Sequence, residues 1–297
     1  MIVPAYQACD TISRTLSSIA KQTVAPREVI VIDDGSTDGT AVEARKALAL
    51  FEETKLIVVE QPNRGAGAAR NHGVHLARSE LLAFLDADDE WLPTKIEKTL
   101  PHLDDPDIAL VGHDYTRVQG SIEQAVKCSA LFQSAADTYA ELYRRGLIAT
   151  STVITRAGLV REAGGFDETL PIAQDFDLWL RLLAPVSRRY VITEDMLTRY
   201  HISEGSITSQ SALRLRCVLL IAQRYFEALD GRGARRWQSF WFRILAGHKE
   251  AFIAFAARGR YMAAAAVVLI LPFHWTFYSL LSAAGYPGRQ RIPADFE

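Results

Sequence analysis

Through the first half of the chain, short apolar runs alternate with stretches of helical periodicity. Residues 2–3, 28–32, 55–60 and 81–85 read as strands, and residues 12–21, 40–51 and 68–77 read as helices between them. This alternation predicts an α/β fold, a mostly parallel sheet with helices on both faces. Ligands of such sheets bind beyond the carboxyl ends of the strands. Each strand here runs into a polar motif: Pro4-Ala5-Tyr6, then Asp33-Asp34-Gly35-Ser36-Thr37-Asp38, then Asn63-Arg64-Gly65-Ala66-Gly67, then Asp86-Ala87-Asp88-Asp89. Four polar motifs on one rim predict one site.

The last motif carries the most chemistry. Asp86, Asp88 and Asp89 repel one another unless a cation joins them. Oxygen ligands at a strand end suit Mg²⁺ or Mn²⁺, which bridge protein carboxylates to substrate phosphates. Alone, such a run is a solvated turn or a helix start ahead of Trp91-Leu92-Pro93; its company along the chain favours the metal. Asp33-Asp34-Gly35-Ser36 reads both as a turn leading to a helix cap, supplied by Ser36 or Asp38, and as a binding loop with Asp34 as the ligand. Gly65-Ala66-Gly67-Ala68-Ala69-Arg70 begins like a dinucleotide fingerprint, with Asp86 about twenty residues further on. Arg70 stands where the third glycine belongs, however, and Gln61-Pro62-Asn63-Arg64 separates strand from glycines. A ribose reader also needs one acid rather than a cluster, so a nicotinamide enzyme is set aside. For Arg64 and Arg70, the choice between a diphosphate or base contact and solvent stays open.

Taken in order, Ile2-Val3-Pro4-Ala5-Tyr6, Val31-Ile32-Asp33-Asp34-Gly35-Ser36-Thr37-Asp38, Arg64-Gly65-Ala66-Gly67-Ala68-Ala69-Arg70-Asn71 and Phe84-Leu85-Asp86-Ala87-Asp88-Asp89 resemble the family 2 glycosyltransferases of GT-A fold. Further on, Gly164-Gly165-Phe166-Asp167-Glu168, followed by Gln174-Asp175-Phe176-Asp177-Leu178-Trp179, resembles the acceptor-side motif of that family. The resemblance covers about the first two thirds of the chain. It implies a nucleotide-sugar donor, with uridine favoured as its base. Asp88 is implied as the metal ligand, with Asp86 nearer the sugar or ribose and Ala87 between them. Asp34 is implied as the acceptor of a base N–H and Tyr6 as a contact to that base, with Pro4 and Ala5 shaping the loop.

Transfer also needs a base for the acceptor hydroxyl, and a positioned carboxylate typically contributes ~10²–10⁴-fold. Asp175 matches the Asp of the family's catalytic acidic pair; Gln174 replaces the preceding Glu. Asp177, two residues on, projects from another helix face and is not interchangeable with Asp175. Gly164 and Gly165 let backbone approach a sugar or simply form a tight turn. Trp179 lines the acceptor pocket or packs the core. One carboxylate base opposite a metal-held leaving group implies displacement with inversion, by the logic of inverting glycosidases. Arg199-Tyr200-His201 and Ser206 resemble the close of the family's catalytic domain, which makes His201 a third metal or diphosphate contact. The segment lacks the motif of the processive synthases, so one sugar per encounter is expected.

Composition adds a second theme. Residues 1–198 hold 20 Lys and Arg against 29 Asp and Glu, whereas residues 199–297 hold 13 against 6. The basic third contains an uncharged run over residues 261–288, long enough to cross a membrane but interrupted by Pro272 and His274. A helical appendage over residues 207–285 is expected to touch the cytoplasmic face of a membrane through anionic lipid; an ordinary buried helix pair is the competing reading. The arginines accompany no nucleic-acid module. The expected organisation is a donor-binding half (1–110), an acceptor-binding half (111–206) and the helical region (207–297). Cys9, Cys128 and Cys217 form no C-x-x-C pair, which argues for a reducing compartment and against structural zinc. No signal peptide is visible, and so few residues precede Pro4 that an upstream start is an open reading. The predicted protein is a cytoplasmic or peripheral, metal-assisted transferase moving a sugar to a glycan or lipid-linked acceptor in cell-surface polysaccharide synthesis. The alternative is a nucleotide-sugar-binding scaffold without turnover. A sugar-phosphate nucleotidyltransferase is set aside because no Gly-rich loop follows the first strand.

Overall fold

Strand and helix alternate as the apolar pattern requires. In the computed structural model, which describes residues 1–202, 211–232 and 235–284, the chain opens with β1 (Ile2–Ala5), α1 (Ile12–Ala20), β2 (Glu28–Asp33), α2 (Thr40–Lys46), β3 (Lys55–Glu60) and α3 (Ala66–Leu76). The three strands are parallel, and their register aligns Ala5 with Asp33 and Asp33 with Glu60. The strand ends, and the polar motifs after them, therefore share one rim. On α1, Ile12, Leu16 and Ile19 recur at one-face spacing and are fully buried. They pack with Val3, Val29, Val31 and Leu85 into one core cluster.

Three sequence expectations shift here. Pro4 and Ala5 belong to β1 itself rather than to the loop after it. Pro4 is tolerated because β1 has a ladder with β2 on one side and only a single bridge, Ile2 to Phe84, on the other. The second helix is shorter than expected, ending at Lys46 before a 3₁₀ turn at Ala47–Leu50. The fourth strand, β4 (Leu81–Ala83), stops before the acidic run, which is left free to turn.

Next come β5 (Glu90–Trp91), α4 (Lys95–Thr99), β6 (Ile108–His113), β7 (Tyr115–Gln119), β8 (Ile122–Val126), α5 (Ser129–Gln133), α6 (Thr138–Arg145), β9 (Ile154–Arg156), α7 (Ala157–Glu162), α8 (Gln174–Leu183), β10 (Arg189–Thr193) and β11 (Thr198–His201). A second sheet, in the order β10-β6-β9-β4, is mixed, because β9 runs antiparallel to both its neighbours. A third, in the order β5-β11-β7-β8, brings β11 back beside the strand that follows the acidic run.

The chain divides into two compact units, and their boundaries differ from the expected ones. One comprises Met1–Ser134, Ile148–Glu168 and Pro185–Ser203; the other comprises the described residues of Ala135–Leu147, Thr169–Ala184 and Glu204–Glu297. Thus α6 and α8 group with α9 (Ser211–Arg224), α10 (Arg236–Ala256) and α11 (Tyr261–Ala283). The physical reason is a set of polar ties: Tyr143 donates to the Ala222 carbonyl at 2.6 Å, and Arg144 donates to the Ser239 hydroxyl at 3.0 Å. Pro272, expected to interrupt the last apolar run, lies inside α11. It removes one backbone donor, and the helix continues, with the Thr276 hydroxyl on the Pro272 carbonyl at 2.9 Å.

Helix α3 packs closely on β1 through Gly73: a Cβ there would lie 2.5 Å from Ile2 Cγ2. Gly73→Val is expected to lose about 1–3 kcal/mol by overpacking. Urea unfolding checks this as a lower midpoint at unchanged slope.

Candidate functional site

The acidic run is held from beneath by its last member. Asp89 is fully buried. Its carboxylate accepts the Ser151 hydroxyl at 2.5 Å and the His201 backbone N–H at 2.9 Å. Ser151 Oγ also accepts the Asp86 N–H at 3.2 Å. From α1, the buried Thr15 hydroxyl lies 2.9 Å from the Ala87 carbonyl and 2.8 Å from that of Asp89, while Arg14 donates to the Asp88 carbonyl at 2.7 Å. The loop is fixed from three directions, and Asp86 and Asp88 remain half-buried. Burial, and then the Asp86 charge, push the Asp88 carboxyl up to about 6. Burial raises Asp89 further, reinforced by Asp88 and Asp86.

The predicted metal set is only partly assembled. Asp86 pairs with the nearly buried Arg70 at 2.6 Å. His201 contributes its backbone to Asp89, but its ring Nε2 sits on the Glu90 carboxylate at 2.8 Å. Burial lowers the His201 pKa, against the opposing pull of Glu90. Among the described residues, no three His, Cys, Asp or Glu side chains form a group that could hold a metal. Asp86 and Asp88 do fit a cation that keeps water and takes its remaining ligands from a substrate diphosphate, the usual habit of Mg²⁺. Ser206 lies outside the described residues.

At the neighbouring strand ends, Asp34 is nearly buried and organises the Gly-rich loop. One carboxylate oxygen accepts the Gln61 side-chain amide at 2.8 Å and the Arg64 N–H at 2.9 Å; the other accepts the Gly65 N–H at 2.7 Å. Gln61 in turn meets His72 Nδ1 at 2.8 Å. The N-cap of α2 is Gly39 rather than Ser36 or Asp38; Asp38, one residue earlier, accepts the Thr40 N–H at 3.0 Å, and Ser36 accepts the Gln7 N–H at 2.9 Å. Tyr6, beside these turns, is 54% exposed and available for contact. The Arg64 side chain reaches Glu168 at 2.8 Å.

Gly164 and Gly165 adopt left-handed φ of 80° and 74° and form a tight turn. A Cβ at Gly165 would collide with Asn71. Asn71 clamps the turn, accepting the Phe166 N–H at 2.7 Å and donating to the Phe166 carbonyl at 2.9 Å and to Glu168 at 3.0 Å. The turn reading therefore holds at Gly165, where close packing demands glycine. Gln61, Asn71 and Ser151 were missed by the sequence reading. Gln61 looked like a spacer, and Asn71 sat inside a recognised motif without a role. Ser151 has no local signal at all, since its partners lie 62 and 65 residues away.

In the second unit, Asp175 opens α8 and accepts its own helix's Phe176 N–H at 2.8 Å. It is half-buried, whereas residues 172–174 and 176–180 are buried. Asp177 faces the opposite way, fully buried, and accepts Arg224 at 2.5 Å, the Tyr225 hydroxyl at 3.1 Å, and Arg181. The two acids thus hold separate positions, as helix geometry predicts. Trp179 is fully buried, and Phe176, Leu178, Leu180, Leu182 and Leu183 on the same helix are buried too, which is the core-packing alternative of its two sequence readings.

These arrangements fix the cost of removing each side chain. Asp177→Ala strands two arginines and is expected to cost about 3–5 kcal/mol, whereas Asp175→Asn, at a half-buried position that keeps an amide oxygen for the Phe176 N–H, should cost less. Ser151→Ala withdraws the hydroxyl donor from a buried carboxylate and should cost about 1–3 kcal/mol. Urea midpoints of the three variants check the ranking.

Comparison with known proteins agrees with this geometry. The family model for glycosyl transferase family 2 matches residues 1–163. An uncharacterized glycosyltransferase of Rickettsia felis is 28% identical over 211 residues, 69% of this chain and 35% of that protein. The chain thus spans about a third of the length of the Rickettsia relatives it matches. The Escherichia coli protein WfgD, a UDP-Glc:alpha-D-GlcNAc-diphosphoundecaprenol beta-1,3-glucosyltransferase, is 27% identical over 73% of this chain and 81% of its own length. Among solved structures, Staphylococcus aureus TarS 1-349 with UDP-GlcNAc superposes with a TM-score of 0.67 at 19% identity, covering 96% of this chain and 88% of that one. The mannosyltransferase PcManGT of Pyrobaculum calidifontis, with GDP-Man and Mn²⁺, gives 0.63 at 20% identity, covering 95% and 83%. The fold is that of the GT-A glycosyltransferases. With more than half its length matched by the family model, the chain belongs to glycosyl transferase family 2.

Proposed function

We propose that this protein moves one sugar per encounter from a nucleoside-diphosphate sugar, with a UDP-sugar favoured, to a hydroxyl of a glycan or lipid-linked acceptor, inverting the anomeric centre. The observation that carries the reading is the immobilised acidic loop, which holds Asp86 and Asp88 half-buried beside Arg70 and Arg14 with the Asp88 carboxyl up at about 6. Carboxylates in that condition favour a divalent cation. Mg²⁺ or Mn²⁺, when bound, supplies Lewis acidity to the departing diphosphate. Asp88 is the ligand in this reading and Asp86 the neighbour that orients sugar or ribose, held in place by Arg70. Pro4, Ala5 and Tyr6 border the base. Asp34 has one acceptor position beyond the three it spends on the Gly-rich loop, enough for one base N–H.

Asp175 takes the proton of the acceptor hydroxyl as the new C–O bond forms. The electron pair of the breaking bond leaves with the diphosphate, so attack from the opposite face inverts the centre. In this reading residues 1–110 carry the donor contacts and residues 111–206 the acceptor side. The setting is cell-surface polysaccharide synthesis at the cytoplasmic face of a membrane. Two observations support it: the diphosphoundecaprenol acceptor in the name of WfgD, and an uncharged, largely exposed helix long and apolar enough to cross a membrane.

Calorimetric titration of UDP, GDP and dTDP, with Mn²⁺ and with EDTA, is the test. One diphosphate should bind with metal, and EDTA should abolish its binding. Asp88→Asn should lose this dependence, whereas Asp175→Asn should keep donor binding and lose ~10²–10⁴-fold in turnover. Binding unaffected by EDTA would overturn the metal assignment. Full turnover in Asp175→Asn would overturn the base, and a retained anomeric configuration in the product NMR spectrum would overturn inversion.

A further inference from the structure

Helix α11 presents two unlike sides. Met262, Leu269, Phe273 and Leu280 recur at the spacing of one helix face and are 87%, 80%, 66% and 67% exposed. The opposite side, with Ala264, Val267 and Ser282, is buried. It is joined to α10 by polar and aromatic contacts: His274 Nδ1 lies 3.1 Å from His248 Nε2, and Trp275 stacks on Trp241 with ring centroids 5.1 Å apart. No charged residue occurs in residues 261–284, so the outer face is a continuous apolar strip. Such a strip on a water-soluble surface marks an interaction site.

Its surroundings say what covers it. Residues 235–284 contain six Lys or Arg and one Glu. Arg258 and Arg260 stand at the turn between α10 and α11, and the Arg260 guanidinium lies over the Phe255 ring. An apolar face flanked by cations is complementary to anionic lipid. A spanning orientation of α11 conflicts with its inner side. Helix α10 would have to follow it, carrying Lys249 and the Arg243–Glu250 ion pair, closed at 2.7 Å, into hydrocarbon. An orientation parallel to the bilayer leaves every one of these contacts intact.

We propose that α10 and α11 form a monotopic membrane anchor. Helix α11 lies in the plane of the interface, its Met262–Leu269–Phe273–Leu280 face among the acyl chains and Arg258 and Arg260 on anionic headgroups, and it does not cross. This deepens the membrane-surface reading of the proposed function and rests on it.

Flotation of the full chain with phosphatidylcholine vesicles, with and without phosphatidylglycerol, tests the anchor. Binding is expected to require the anionic lipid and to be lost in Leu269→Glu/Phe273→Glu. Arg258→Gln/Arg260→Gln should weaken it about 30-fold, two surface charges' worth. Cysteines introduced as Gly259→Cys and Ala283→Cys should both react with an impermeant thiol reagent added outside preformed vesicles, above the parent's own labelling. Protection of one end means a spanning helix and overturns the in-plane claim. Equal binding to neutral vesicles overturns the charge argument. A protein that stays soluble, with light scattering showing a dimer dissociated by Leu269→Glu/Phe273→Glu, means that a second copy covers the face and overturns the anchor. Nucleoside-diphosphate binding, measured by calorimetry on the same variants, should not change. Its presence or absence in the parent reports on the transferase reading independently of vesicle binding.

Discussion

The burial of one carboxylate, Asp89, is the constraint from which the site follows. Taking such a group out of water is unfavourable unless hydrogen bonds replace its hydration. Here the replacements come from Ser151 and from the backbone of His201, 62 and 112 residues away in sequence. The need to satisfy Asp89 therefore draws a turn before β9 and the end of β11 onto the loop that leaves β4. With that loop pinned below, and held from the side by Thr15 and Arg14, its remaining acids cannot relax away from one another. Burial, and after it the Asp86 charge, raises the proton affinity of Asp88, and that is the condition a divalent ion would relieve.

The same division of labour recurs. In the acidic run Asp89 points inward and holds, leaving Asp86 and Asp88 toward solvent. At the start of α8 Asp177 points inward, binding Arg181, Arg224 and Tyr225, and leaves Asp175 accessible. Each motif combines a fully buried acid that organises with a neighbouring acid that is only half-buried. In the proposed reading, preorganisation of this kind would keep the reacting group in place without reorganisation during the reaction. Asp34 compresses the arrangement into one side chain, holding the Gly-rich loop with three bonds while lining the same rim.

The C-terminal helices follow a different logic. Their inner faces are joined by hydrogen bonds and stacked rings, whereas the outer face of α11 is apolar and open. A transferase acting on lipid-linked sugars must work where its acceptor is confined, and an interfacial helix would restrict its search to two dimensions. In the proposed reading, the basic character of this part of the chain, against the acidic first two thirds, suits an anchor on anionic lipid.

Much of this was legible in the sequence. The period of apolar residues located the first strands and helices to within a few positions, because periodicity is imposed locally by backbone geometry. The motifs at the strand ends placed the rim, since a parallel sheet must bring those ends together. Helix spacing also separated Asp175 from Asp177. The sequence left open whether Trp179 lined a pocket and whether Gly165 met a sugar, and it read Pro272 as an interruption of the last apolar run. Packing put Trp179 among the buried residues of α8 and fixed Gly165 in a turn clamped by Asn71, and α11 continued through Pro272. Ser151, Gln61 and Asn71 were invisible for a single reason: their roles consist of hydrogen bonds across long sequence separations. Local sequence specifies which backbone a segment adopts and which face is apolar, but the partner that satisfies a buried polar group is chosen only when distant segments meet.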